Sequence, residues 1–126
     1  MKDVNKVILM GRLGTDPVQR QTKNGIPVTH LSLATSRRIH RDEVSEGDPA
    51  PLAETTWHRI VAWGKLAEIC TKYLKKGNAL YVDGSIRTHS YEDKDKITRY
   101  SMEIHAENVS FLNGPRQEIP DPINPS

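Results

Sequence analysis

The chain contains a single cysteine, Cys70, which excludes an intramolecular disulfide and suits a reducing compartment. It has no long apolar run: Gly11 and Arg12 cut the first aliphatic stretch short, far below the ~20 residues of a membrane-spanning helix. The same start lacks a small-residue cleavage site and is not the Arg/Ser-rich, acid-poor start of a transit peptide, so a soluble cytoplasmic protein is expected. Phosphate-cradling glycine loops and a nucleophile elbow are absent, which removes those nucleotide-binding and hydrolase classes. His30, His40, His58, His89 and His105 fall on separate segments without paired ligand spacing, and no metal or other cofactor is expected. Cys70 reads as a small core residue on a helix. No catalytic set emerges, and the chain is not expected to be an enzyme.

What is present is one domain's worth of polar sequence: 126 residues, 36% hydrophobic and 27% charged, with a formal charge of +2. That small excess is unevenly spread. Asp42, Glu43, Glu46, Asp48 and Glu54 fall within residues 42–54, which hold no base. The rest of the chain is left distinctly basic, a distribution that attracts polyanions.

Patterning predicts five strands and one helix. Residues 4–13 are rich in aliphatic and β-branched side chains and end at a Gly14–Pro17 turn. Asn24-Gly25 marks a hairpin turn, and residues 27–36 alternate Leu31 and Leu33 against His30, Ser32 and Ala34. Residues 37–54 read as a long exposed loop, and residues 55–63 as the third strand. Leu66, Ile69, Cys70, Tyr73 and Leu74 recur at helical spacing over about 65–76, with Gly77 suited to the position after the helix. Residues 79–88 form the fourth strand, with Leu80, Val82 and Ile86 on one face. A polar connector, 89–96, leads to the fifth at 97–111, where Tyr100, Met102, Ile104 and Ala106 alternate with Arg99, Ser101, Glu103 and His105. Residues 113–126 lack periodicity and are expected to be a short disordered tail, leaving 1–112 as the domain. Three strands, a helix and two strands match an all-β, five-stranded Greek-key barrel of the oligonucleotide/oligosaccharide-binding (OB) type, its one helix between the third and fourth strands.

The informative constellation is on the third strand. Odd positions place Trp57, Arg59, Val61 and Trp63 on one face, and even positions place His58, Ile60 and Ala62 on the other. A barrel strand has one interior. If Ile60 and Ala62 face inward, both indoles face out, and exposed aromatics beside an arginine make a platform for stacking bases. The alternative is a buried aromatic face with Arg59 at its rim. Lys65, Lys72, Lys75, Lys76 and Arg87 are available to neutralise phosphates.

The segments Asn5–Pro17, Leu33–Ser36, Thr56–Glu68, Tyr73–Gly77, Tyr81–Gly84 and Arg87-Thr88 occur in the order seen in bacterial single-stranded-DNA-binding proteins, and residues 4–112 together resemble that family. The resemblance implies an OB-fold barrel that binds single-stranded DNA without sequence preference during replication, recombination and repair, usually as a homotetramer. It implies base-stacking roles for Trp57, Trp63 and Tyr91, and phosphate contacts for Arg59, Lys65, Lys76 and Arg87. His58 matches the family's subunit-interface histidine. Two departures stand out. Ile39 and His40 occupy the loop where many members carry a stacking tryptophan, and Arg37, Arg38 and Arg41 can compensate there by charge. The family's acidic C-terminal tip, which recruits replication and repair proteins, has no counterpart in Pro120–Ser126, so recruitment is not assigned to this tail. The acidic 42–54 segment is expected to lie away from a bound strand, since its carboxylates would repel phosphates. The competing reading is a dimeric, primosome-type adaptor of the same fold, whose main work is protein contact.

Overall fold

A computed structural model of the chain describes residues 1–40, 42, 47 and 53–112. The expected tail at 113–126 and most of the acidic 42–54 segment lie outside the described residues.

The elements run β1 (Val7–Leu13), β2 (Val18–Gln21), β3 (Pro27–Arg38), β4 (Ala53–Trp63), α1 (Gly64–Tyr73), β5 (Ala79–Glu92) and β6 (Thr98–Phe111). They form one sheet in the order β1-β5-β6-β4-β3-β2, closed by an added β1–β3 pairing. All pairings are antiparallel except β4–β6, which is parallel at Ile60↔Ile104 and Val61↔His105. The closed circuit β1-β5-β6-β4-β3 is the expected five-stranded barrel.

The sixth strand is the continuation of the first. β1 meets β3 at Leu13↔Leu33, and β2 resumes on the same edge at Val18↔His30. Gly14–Pro17 thus spans four residues opposite two, Leu31 and Ser32, and the strand bends there. Gly14 N still donates to Ser32 O at 2.9 Å. Val18–Gln21 carries no strand signal in the sequence because Val-Gln-Arg-Gln shows no apolar alternation, and in the fold all four residues are exposed. The Asn24-Gly25 turn forms as expected, with Gly25 at φ 81°.

The core is set by alternation. Leu31 and Leu33 on β3, Ile60 and Ala62 on β4, Leu80 and Val82 on β5, and Ile104 and Val109 on β6 meet inside the barrel. α1 plugs one end with Ala67 and Cys70. Thr29 Oγ1, buried on β3, donates to Ala67 O at 2.8 Å and ties the helix to the sheet. The helix ends earlier than its periodicity suggests. Leu74 turns extended and drops into the core, 3% exposed. Gly77, at φ 91°, serves the following turn instead.

Two further differences concern β5 and β6. Asp83 pairs with Asn108 but Gly84 pairs with Ala106, leaving Glu107 as an inserted bulge residue. The bulge switches which β6 positions face inward, from Ile104 to Val109. The first half of the expected 89–96 connector, His89–Glu92, is strand, since the pairing continues to Glu92↔Thr98. Asp93 makes that possible. Its Oδ1 accepts the backbone N–H groups of Asp95 and Ile97, and its Oδ2 accepts Arg99 Nε at 2.8 Å. These bonds, the guanidinium's first, hold the Asp93 carboxyl below its ordinary range. The result is a tight turn at the tip of a long two-stranded arm.

Candidate nucleic-acid interface

β4 carries the site. Ile60 and Ala62 are fully buried, so alternation turns Trp57, Arg59 and Trp63 outward. Trp57 is 59% exposed and Trp63 44%. Val61, of the same parity, is nonetheless buried. It lies in register between His30 of β3 and His105 of β6.

Register places the remaining candidates. On β5, Arg87 pairs with Glu103, His89 with Ser101 and Tyr91 with Arg99. His105, which pairs with Ser85, lies opposite Val61. The outer face of β4 therefore continues through Ser101, Glu103 and His105 into Arg87, His89 and Tyr91. Arg59 Nη1 donates to Ser101 Oγ at 3.3 Å across the β4–β6 junction. Tyr91 is 52% exposed near the tip of the arm. Three aromatic surfaces and two arginines thus share one continuous outer face.

Two hollows flank Trp57 and Arg59. One, about 580 Å³, is lined on its far side by Thr15, Val18, Arg20 and His30, and by His89 and Glu103. The other, about 490 Å³, reaches Tyr91, Tyr100 and Met102. Both can take a flat, partly apolar group beside a cation. Arg20, His30, His89 and Tyr100 belong to this surface but are not among the residues singled out from the sequence. Arg20 and His30 come through the β2–β3 hairpin, and β2 is invisible to periodicity.

The other cations divide. Lys76 is exposed on the turn that docks against the β1–β2 bend: its backbone N–H donates to Asp16 Oδ1 at 2.8 Å, and Gly77 N donates to Leu13 O at 2.8 Å. Lys65 is exposed in the first turn of α1, two residues after Trp63. Arg38 pairs with Ala53 and has the parity of Ala34 and Trp57, the outer face. Arg37 has the opposite parity and is ion-paired to Glu54 at 2.7 Å. His58 also lies off the Trp57 face. It pairs with Leu33, is half-buried, and its Nε2 bonds Thr35 Oγ1 at 2.8 Å.

Burial pushes the Cys70 thiol up to about 12, so it stays protonated in the core. Among the described residues no group of three His, Cys, Asp or Glu side chains is placed to hold a metal ion, and no helix is long and apolar enough to cross a membrane.

The model of the single-strand binding protein family matches residues 4–112. The single-stranded DNA-binding protein 1 of Chlorobaculum tepidum is 44% identical over 113 residues, 88% of this chain and 66% of that protein. The single-stranded DNA-binding protein of Xanthomonas axonopodis pv. citri is 41% identical over 114 residues, 90% of this chain and 60% of that protein. The chain therefore spans 60% to 66% of the length of these two curated relatives. Among solved structures, a chain from a Plasmodium falciparum SSB complex with ssDNA is 30% identical with a TM-score of 0.75, covering 90% of this chain and 98% of that one.

Proposed function

The chain belongs to the single-strand binding protein family, and on that premise we propose that it binds and protects single-stranded DNA without sequence preference during replication, recombination and repair. The observation that carries this reading is the outward placement of Trp57 and Trp63 on either side of Arg59, on a face that continues to Arg87 and Tyr91. Every base has a π-face, so aromatic platforms bind without reading sequence, and each stack is worth roughly 1–3 kcal/mol. Arg59, Arg87, Arg38, Lys65 and Lys76 supply the phosphate contacts, with affinity falling as salt rises. Binding of this kind has no catalytic step, and its place is the cytoplasm, at the nucleoid.

The assembly we propose is a homotetramer. Among the described residues β1 pairs with β5 over Val7–Arg12 and with β3 only at Arg12 and Leu13. The Val7–Met10 edge is therefore open, and Ile8 and Met10 are each 63% exposed. An open strand edge with exposed aliphatic side chains favours pairing with a second copy. His58 is assigned to a subunit contact.

The test is a titration of oligo-thymidine into the protein, followed by tryptophan fluorescence, with duplex of equal length as control. Deep quenching by the single strand alone, reversed by salt, is the expected result. Absence of quenching from a folded protein overturns the reading and favours the adaptor. Sedimentation reports the assembly: a tetramer is expected, and a dimer argues for the adaptor.

A further inference from the structure

His105 of β6 stands against Trp63. The indole Nε1–H donates to His105 Nδ1 at 3.3 Å, and the ring centroids lie 6.0 Å apart with the planes tilted by 32°. An indole nitrogen donates and never accepts. Nδ1 must therefore carry its lone pair, and the proton of the neutral ring sits on Nε2. That nitrogen lies 2.9 Å from Glu103 Oε1 and donates to it. One tautomer of neutral His105 satisfies both neighbours at once.

The relay is sheltered and rigidly seated. The His105 and Glu103 side chains are 20% and 17% exposed, while the indole they hold is more open. The backbone of His105 is gripped by β5. A β-carbon on Gly84 would come within 2.0 Å of His105 O, so only glycine lets the strands approach this closely. The charged group bonded to the ring is Glu103 on its own strand, and on β4 Arg59 stands two residues before Val61, which pairs with His105. Arg87 lies opposite Glu103 on β5, and His30 on β3 lies beyond Val61.

We propose that His105 is the positioning residue for Trp63: anchored by Glu103 through Nε2 and accepting the indole N–H at Nδ1, it holds the indole in the pose that receives a base. This deepens the strand-binding reading and rests on it.

The first arm of the test needs no DNA. In amide spectra of the ¹⁵N-labelled free protein, Trp57→Phe identifies the Trp63 indole signal. His105→Ala should move that signal upfield, as an indole N–H that loses its acceptor does, and Glu103→Gln, which keeps an acceptor for the Nε2–H, should move it far less. A Trp63 signal unmoved in His105→Ala overturns the proposal whether or not DNA binds. The second arm adds oligo-thymidine at pH 8 to Trp57→Phe with and without His105→Ala. Loss of one hydrogen bond that fixes the platform should weaken binding roughly two- to tenfold. Equal affinity and equal quenching overturn the positioning role. Failure of the parent protein to bind oligo-thymidine overturns the strand-binding reading and the stacking purpose with it. The indole signal still reports whether His105 holds Trp63.

Discussion

The Trp57 indole lies directly on Gly14: a β-carbon at residue 14 would stand 2.2 Å from Cζ3 of Trp57 and 2.6 Å from Cη2. Gly14 opens the bend between β1 and β2, so the missing side chain at that corner is the seat of the most exposed indole on the outer face. Gly14→Ala should push Trp57 off its seat and weaken binding of oligo-thymidine by about 1 kcal/mol, a fraction of the value of one stacked base. The two residues touch, so their effects should not add. In a Trp57→Ala background the alanine at 14 should cost almost nothing in affinity. An undiminished cost there would mean that Gly14 acts through the bend and not through the indole.

Trp57→Ala and Trp63→Ala should each weaken strand binding by roughly 1–3 kcal/mol per displaced base. Both side chains are about half exposed, so stability should fall by about 1 kcal/mol or less. Thermal melts beside affinity measurements separate the two effects. A variant that melts far below the parent yet binds normally would place that indole in a structural role.

Asp83, itself buried, is the hub of a partly buried polar network. It accepts from Lys6 Nζ at 3.2 Å, Tyr81 Oη at 2.8 Å and Asn108 Nδ2 at 2.9 Å. Desolvation pushes its carboxyl up, but the bonds from Asn108, Tyr81 and Lys6 outweigh it and hold the group below its ordinary range. The same contact raises Lys6. The sign follows from linkage. A depressed carboxylate contributes stability that is complete above the ordinary range of about 4 and lost as pH falls through its lower folded value. Asp83→Asn should therefore melt below the parent at pH 7, and the gap should close as pH falls below about 4. A gap independent of pH would assign the loss to shape and not to charge.

The thiol of Cys70 is fully buried and pushed up to about 12. The reactive species is the thiolate, so alkylation of the native protein at pH 8 should be slow and should accelerate only when denaturant opens the barrel. Rapid alkylation under native conditions would show that α1 lifts from the barrel end far more readily than its burial implies.

Much of this interface was legible in local pattern. The alternation of Ile60 and Ala62 against Trp57, Arg59 and Trp63 is a period-two signal, and a closed barrel can bury only one side of it. Leu80 and Val82 on β5 follow the same logic. What escaped the sequence is contact between distant positions. Gly14 looks like an ordinary turn glycine until the fold lays residue 57 over it. His105 looks like one more outward polar residue until the parallel β4–β6 pairing brings it to Trp63. Val18–Gln21 is exposed throughout and announces itself only by pairing with β3. The arm from His89 to Glu92 is polar on both faces, so its strand character rests on the Asp93 turn and not on any hydrophobic period.

Arg37 and Arg38 are adjacent in sequence and opposite in geometry, which makes them a sharp test of the binding face. Arg38 has the parity of Trp57, while Arg37 points to the other side of β3, where Glu54 holds it at 2.7 Å. An exposed ion pair of this kind adds little to stability, but it gives the Arg37 guanidinium a partner other than phosphate. Each phosphate neutralised on a single strand contributes about −0.7 to the slope of log affinity against log salt. Arg38→Ala should therefore flatten the slope by roughly that amount and weaken binding similarly for all sequences. Arg37→Ala should leave the slope unchanged, and Glu54→Gln should do the same if Arg37 faces away from the strand. Should Arg37→Ala flatten the slope as much as Arg38→Ala, the bound strand must wrap over the β3 edge and reach both faces of the sheet.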